Sequence, residues 1–177
     1  MRTILLILIA LTGLASCSTT YVKSVDSDNN FAISNYKTFN FYEISANGET
    51  ANGKYNDRIN ILKNEVRQQL EAKGLTLDQT NPDLLVNIGV VTTEKVQTRE
   101  TNIRTDGPFY MGQRRYTWRA QQVPVGKYKL GTVTIDLVDP KKNEMVWQGI
   151  AEGTVPKKDE KLQETVEEGL TKLFSRL

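Results

Sequence analysis

The segment from residue 57 to residue 73 has the clearest helical period in the chain. Its apolar stripe consists of Ile59, Leu62, Val66 and Leu70. Charged and amide side chains fill the opposite side, and Lys73-Gly74 is typical of a helix end. A helix with one apolar side needs a partner layer. The mixed charge of its polar side favours packing on a sheet over binding to a membrane surface.

Strand-like patterns lie on both sides of this helix. In residues 31–42, aromatic side chains alternate with polar ones, which predicts a half-buried strand with its aromatics facing inward. Residues 84–96 follow an Asn-Pro-Asp turn and alternate apolar side chains over their first half. Two Asn-Gly pairs within residues 45–56 predict an exposed loop. This part of the chain therefore predicts a strand, a helix and a second strand.

The C-terminal part of the chain predicts a hairpin followed by a helix. Residues 127–139 and 144–153 are rich in strand-forming side chains and flank a Pro- and Asn-containing turn, so we expect an antiparallel pair. Residues 158–176 repeat an apolar stripe at helical spacing. The predicted fold is therefore α+β, with a mixed or antiparallel sheet of about four to five strands and the element order β-α-β-β-β-α. Two amphipathic helices are expected on one face of the sheet.

The first 17 residues have the three-part order of a secretory signal. A positive charge at Arg2 precedes an apolar run from Ile4 to Leu14, which is too short to span a bilayer. The run ends in Leu14-Ala15-Ser16-Cys17, which resembles the bacterial lipobox. That resemblance implies cleavage after residue 16 and lipid modification of Cys17. Stable anchoring needs about two acyl chains, which a lipidated Cys17 would carry.

The expected domain organisation follows from this N-terminal segment. We expect residues 1–16 to be a cleaved signal peptide, residues 17–30 a flexible tether and residues 31–177 a single α+β domain. Ser18 follows the cysteine, and no acidic cluster comes next. Similarity to known lipoprotein sorting rules then implies the periplasmic face of the outer membrane.

Composition argues against several classes of function. The chain has 23 Lys and Arg residues and 21 Asp and Glu residues. Removal of the expected signal peptide takes away Arg2, which leaves 22 against 21, a net charge of +1. A charge so close to zero argues against nucleic acid as a partner. The sequence contains no histidine, so His-activated nucleophiles and the common zinc motifs are excluded. Its one cysteine is assigned to the lipid, which leaves no thiol for a disulfide or redox site. We therefore expect no cofactor, no metal and no enzymatic activity.

Residues 94–122 combine basic and aromatic side chains, with six Lys or Arg residues against three acids. One interpretation is a long mobile hairpin whose ends continue the sheet and whose arginine stems cover aromatic faces. The other is contact with a ligand or partner, because arginine beside aromatic rings binds phosphates, carboxylates and sugars. The candidate ligand-binding residues are Arg114, Arg115, Tyr116 and Trp118.

Several short motifs together resemble a known family of bacterial lipoproteins, which carries the domain of unknown function DUF4136. The motifs are Tyr36-Lys37-Thr38-Phe39, Ala72-Lys73-Gly74-Leu75, Asn81-Pro82-Asp83-Leu84-Leu85-Val86, Thr134-Ile135-Asp136-Leu137-Val138-Asp139 and Val146-Trp147-Gln148-Gly149. The resemblance covers nearly all of residues 31–177. It implies an α+β envelope lipoprotein with no assigned activity. All of these motifs are structural, so the resemblance transfers no functional residue to this chain.

The sequence leaves three hypotheses for function. The first is a non-enzymatic, lipid-anchored envelope module that binds another envelope component, such as a protein or a glycan, or has a structural role in an assembly. The second is a binding protein for a small ligand, an anionic lipid or a saccharide, which uses the residues proposed above. The third and least favoured is a carboxylate-based glycan hydrolase, for which the candidate acids are Asp136, Asp139, Glu94 and Glu144. Asp136 and Asp139 are three residues apart in a strand, so we expect them on opposite faces.

Overall fold

Six strands and three α-helices follow one another along residues 20–47, 54–107 and 118–177, the parts of the chain that the computed structural model describes. The strands are β1 (Thr20–Ser27), β2 (Thr38–Asn47), β3 (Thr76–Leu77), β4 (Leu84–Glu100), β5 (Gln122–Asp139) and β6 (Glu144–Thr154). The helices are α1 (Lys54–Ala72), α2 (Ile103–Asp106) and α3 (Asp159–Phe174). Within these ranges, no helix is long and apolar enough to cross a membrane.

The strands form one mixed sheet in the order β1-β6-β5-β4-β2-β3. From β1 to β4 each neighbouring pair is antiparallel. The two pairs at the other edge, β4 with β2 and β2 with β3, are parallel. The predicted hairpin corresponds to β5 and β6, and the predicted strand–helix–strand unit corresponds to β2, α1 and β4.

Helix α1 ends where the sequence predicts, and its end has a specific geometry. Gly74 has a φ of 92°, a left-handed conformation that favours glycine. The Leu75 amide donates to the Leu70 carbonyl at 3.2 Å, and the Gly74 amide donates to the Glu71 carbonyl at 2.9 Å. This is the double hydrogen bond of a Schellman end, and it turns the buried Leu75 back against the helix.

The core lies between one face of the sheet and the two long helices. The register of β4 and β5 places Val86 opposite Leu137 and Ile88 opposite Ile135. Alternation along each strand directs all four side chains to the helix side, where they are buried. The stripe of α1 and that of α3 pack on this face. At the β6 side the rings of Trp147 and Phe174 lie 5.8 Å apart. The α+β prediction is confirmed, and the expected pair of helices corresponds to α1 and α3.

The structure differs from the prediction mainly near the N-terminus. Residues 17–30 are predicted to be a flexible tether, yet Thr20–Ser27 forms the edge strand β1, paired with β6. A register shift between Val22 and Ser24 breaks the two-residue alternation that would have revealed the strand. The predicted loop at residues 45–56 is also shorter, because β2 continues to Asn47 and α1 begins at Lys54. The strand count is therefore six rather than four to five.

Candidate functional site

Strands β4 and β5 extend well beyond their neighbours. Pairing between β2 and β4 ends at Val91, and pairing between β6 and β5 ends at Leu130. Beyond these positions, β4 and β5 pair only with each other among the described strands. We call residues 93–107 and 118–129, which comprise this two-stranded extension and the described part of the segment between its strands, the ribbon. Every strand residue of the ribbon except Val123 is exposed, so both of its faces are open.

The far end of the ribbon is held by a small hydrogen-bond network. Asn102 caps α2 by accepting a hydrogen bond from the Arg104 amide at 2.9 Å. The Asp106 carboxylate accepts from Arg99, from the Asn102 amide at 2.9 Å and from the Thr105 hydroxyl at 2.8 Å. The Arg99 guanidinium is the main reason that the pKa of Asp106 lies well below its usual range. Asp106 is therefore ionised and serves the local structure.

Trp118 is the only predicted ligand-binding residue that lies within the described residues. Its indole N–H donates to the Thr101 carbonyl at 3.4 Å, which joins the two sides of the ribbon. The Trp118 side chain remains 36% exposed. The other three predicted ligand-binding residues, Arg114, Arg115 and Tyr116, lie outside the described residues, and so does Cys17.

The ribbon presents basic and apolar groups together. Its charged residues are Lys95, Arg99, Arg104, Arg119, Lys127 and Lys129 against Glu94, Glu100 and Asp106, six minus three or +3. Lys127 pairs with Glu94 at 2.6 Å, and Arg99 pairs with Asp106. Lys95, Arg104 and Arg119 make no ion pair with any residue that the structure describes. The exposed large apolar or aromatic side chains of the ribbon are Val96, Ile103, Trp118, Val125 and Tyr128.

A second polar cluster lies at the base of the ribbon, on the sheet face opposite the helices. Glu152 is only 8% exposed and accepts hydrogen bonds from Tyr21, from Lys23 at 2.6 Å and from Thr132 at 3.2 Å. The Lys23 ammonium, followed by the Tyr21 hydroxyl, lowers the pKa of Glu152. The hydrogen bond to Glu152 in turn raises the pKa of Tyr21. Through these hydrogen bonds the carboxylate links β1 to the neighbouring strands of the sheet.

The candidate acids of a hydrolase lie at three separate places in the sheet. Asp136 accepts a hydrogen bond from Gln148 at 2.8 Å on the outer face of the sheet. Asp139 is buried at the β5–β6 turn, where it accepts from the Lys141 amide at 2.9 Å and the Tyr36 hydroxyl at 3.3 Å. Glu144 lies opposite Asp139 in register, but turn amides already occupy the Asp139 Oδ1 and the Tyr36 hydroxyl occupies its Oδ2. Glu94 is on the ribbon, at the other end of the sheet.

A shallow cleft of about 400 Å³ lies at the end of the sheet away from the ribbon. Its lining includes Asp26, Asp28, Glu144 and Trp147. These acids do not form a group that could hold a metal ion, and neither do any others within the described ranges. Trp147 is 1% exposed, and its indole N–H has no hydrogen-bond acceptor among the described residues. The packing of its ring on Phe174 assigns Trp147 to the core rather than to a site.

Comparison with known families identifies the chain. The model of the family described as domain of unknown function DUF4136 matches residues 23–177. The chain belongs to the DUF4136 family. This confirms the resemblance drawn from the sequence motifs, and the match includes most of β1. A search among curated proteins returned no match for this DUF4136 chain.

The solved structures to which this chain is similar are distant in sequence. A PDZ domain protein from Parabacteroides distasonis is 16% identical, with a TM-score of 0.51 over 93% of this chain and 37% of its own. The chain thus spans little more than a third of that protein, and the likeness shows the fold alone. A PelC dodecamer from Paraburkholderia phytofirmans is 17% identical, with a TM-score of 0.47 over 89% of this chain and 99% of its own. A DUF4136 protein from Bacteroides thetaiotaomicron is 14% identical, with a TM-score of 0.47 over 87% and 95%.

Proposed function

We propose that this DUF4136 protein is a lipid-anchored protein of the outer membrane, on its periplasmic face, that binds another envelope component and catalyses no reaction. The observation that carries the proposal is the ribbon, whose two strands leave the sheet and expose both faces. An exposed two-stranded extension buries too little apolar area to stabilise the fold, so a role in contact explains it better. The anchor itself rests on the lipobox at residues 14–17.

The chemistry of the described residues supports a binding role over catalysis. The chain has no histidine, and its one cysteine is the proposed lipid site. The three most buried or best-bonded acids, Glu152, Asp139 and Asp106, are committed to structural hydrogen bonds. A general acid or base needs a pKa tuned toward neutrality, whereas the pKa values of Glu152 and Asp106 are lowered.

Lipid labelling tests the anchor directly. Cells that express the native chain or Cys17→Ala are fed a labelled fatty acid, and their outer-membrane fractions are compared. We expect label and membrane association in the native protein and neither in Cys17→Ala. Protease treatment of intact cells then reports the side of the membrane, and we expect the native protein to be protected. An unlabelled native protein would overturn the anchor, and digestion in intact cells would overturn the periplasmic orientation.

Site-specific crosslinking tests the contact role of the ribbon. A photoreactive amino acid replaces Val125, which is exposed on the ribbon, or Lys73, which is exposed at the distant end of α1. Irradiation of intact cells should give a discrete envelope adduct from position 125 and none from position 73. Equal labelling at both positions, or none at either, would contradict a specific role for the ribbon. Digestion of the adduct then shows whether it contains protein, glycan or lipid.

A further inference from the structure

The start of β1 is held firmly against the rest of the domain. Thr20 is 8% exposed and lies opposite Gly153 of β6. The Lys172 ammonium donates to the Thr20 carbonyl at 3.4 Å, and Gly169 of α3 allows the Thr20 side chain to approach closely. The chain therefore leaves the lipid site and enters the folded sheet at a fixed point.

The distance between that point and the proposed lipid is short. Cys17 and Thr20 are separated by three peptide steps, which span at most about 11 Å even when fully extended. If Cys17 carries lipid, as the proposed function states, this end of the sheet must lie within about that distance of the bilayer surface. The predicted tether of residues 17–30 would have allowed a far larger separation.

The ribbon extends from the same end of the sheet. Gly153 pairs with Thr20 on one side and with Gly131 on the other, and Gly131 pairs with Thr92. The ribbon strands continue beyond Thr92 and Gly131, in the direction from which the chain enters β1. The eight residues from Thr93 to Glu100 rise about 27 Å at the spacing of antiparallel strands.

These two lengths restrict the orientation of the ribbon. An extension of about 27 Å cannot point straight at a surface about 11 Å away without entering it. Charged side chains such as Lys95 and Arg104 oppose insertion into hydrocarbon. A ribbon directed straight into the bilayer is therefore excluded, whereas a ribbon that leans over and runs along the headgroup layer satisfies both lengths.

The surface of the ribbon suits that layer. Cations without an ion-pair partner in the described structure, Lys95, Arg104 and Arg119, would meet anionic headgroups, which attract basic side chains. Trp118 and Tyr128 are of the two residue types that prefer the interface between water and lipid. We propose that the ribbon lies along the anionic headgroups of the bilayer that anchors Cys17, so that the protein contacts its membrane twice.

The two tryptophans provide a built-in test. Trp147 is buried, so a quencher in the bilayer reports on Trp118. The lipidated protein is reconstituted in vesicles of phosphatidylcholine and phosphatidylglycerol whose acyl chains are brominated near the headgroup. We expect clear loss of Trp118 emission relative to unbrominated vesicles, and weaker loss when the bromines lie near the bilayer centre. Trp118→Phe, which keeps only the buried tryptophan, should show neither effect.

Charge substitution separates headgroup attraction from simple proximity. Arg104→Gln with Arg119→Gln should weaken the contact about fivefold for each charge removed, and added salt should act in the same direction. Lys73→Gln with Arg176→Gln removes two exposed charges at the opposite end of the domain and should leave quenching unchanged. Vesicles of phosphatidylcholine alone should reduce quenching of the native protein to the level of the ribbon variant.

Flotation of the same vesicles distinguishes the two proposals. Protein that floats with the vesicles but shows no Trp118 quenching keeps the anchor and overturns the ribbon contact. Quenching that is equal for the ribbon variant and its control would also overturn the role of ribbon charge. Protein that does not float overturns the anchor, and the ribbon contact falls with it because the distance argument begins at the lipid.

Discussion

The two halves of β4 and β5 belong to the same strands yet lie in opposite environments. The lower half of β4 consists of residues 84–92, before the ribbon. There, Val86 and Ile88 are buried under the helices, opposite buried partners on β5. In the upper half, the ribbon, the equivalent helix-side positions of β4 are Glu94 and Val96, and both are exposed. Hydrogen bonding between the two strands continues through both halves.

This contrast shows that the backbone ladder does not require a core. The lower half is stabilised by neighbouring strands and by two helices. Among the described residues, the ribbon is stabilised mainly by its own strand pairing, by the hydrogen bonds around Asp106 and by β-forming residues such as Thr93 and Thr98. Stability should therefore be concentrated in the lower half, and the ribbon should tolerate substitution. Matched substitutions in the two halves test this difference.

The largest difference is expected for apolar truncation on the same side of β4. Ile88 is 1% exposed and Val96 is 55% exposed. Ile88→Ala should lower the free energy of unfolding by about 3 kcal/mol, because it removes buried methyl groups and leaves a cavity. Val96→Ala should change it by less than about 0.5 kcal/mol. Urea unfolding followed by circular dichroism measures both, and similar losses would refute the contrast.

A smaller difference is expected for two strand glycines. A Cβ at Gly149 would lie 2.8 Å from the Leu173 Cδ1 and would also clash with the Trp147 ring, so Gly149→Ala should cost about 1–3 kcal/mol through overpacking. A Cβ at Gly126 in the ribbon would meet only the Gln97 Oε1 at 3.8 Å. Gly126→Ala should therefore be neutral or slightly stabilising. Thermal unfolding of both variants provides the comparison, and a stable Gly149→Ala protein would show that α3 can shift.

The smallest expected effect concerns two glutamates that pair with lysines. Glu152→Gln should cost on the order of 1 kcal/mol at neutral pH, since a buried, charged acceptor is lost. Because folding lowers the pKa of Glu152, its contribution is present above the unfolded value of about 4.3 and is lost as pH falls through the folded value. Native stability should thus fall more steeply with acidification than that of Glu152→Gln.

Glu94→Gln supplies the matched control for that titration. Glu94 also pairs with a lysine, but the pair lies in the exposed ribbon, where water screens it. The unfolding midpoint of the Glu94→Gln variant should therefore equal that of the native protein at each acidic pH. If the curve for Glu94→Gln resembled the Glu152→Gln curve, the Lys127–Glu94 pair would contribute as much to stability as the Lys23–Glu152 pair.

Much of the fold could be predicted because the apolar residues of a single helix or strand recur at that element's own spacing. The stripe of α1, the alternation of β4 and the turn between β5 and β6 each depend on neighbouring residues. Strand β1 could not be predicted this way. Its register shift places Val22 and Val25, three residues apart, on the same face, so the alternation disappears. Most side chains of β1 are also exposed, so the strand carries few apolar residues.

The candidate site shows the same division. A basic, aromatic hairpin at residues 94–122 could be inferred from composition, and its arms are indeed strands that continue the sheet. The Glu152 cluster could not be inferred, because Tyr21 and Lys23 are separated from Thr132 and Glu152 by most of the chain. The orientation of the ribbon relative to the proposed lipid could not be inferred either. It depends on the position of β1 beside β6, and no local sequence pattern encodes strand order.

The pairing of β1 with β6 has a consequence for how the protein is made. Strand β1, the first of the described strands, joins the sheet only through β6, the last of them, so this pairing is the least local one among the described strands. If the protein is exported, as the proposed function states, the N-terminal segment has no pairing partner until β6 has also crossed the membrane. In that case, mutations that slow the closing of the C-terminal hairpin should lengthen the time for which an incomplete, anchored chain is exposed to envelope proteases and chaperones.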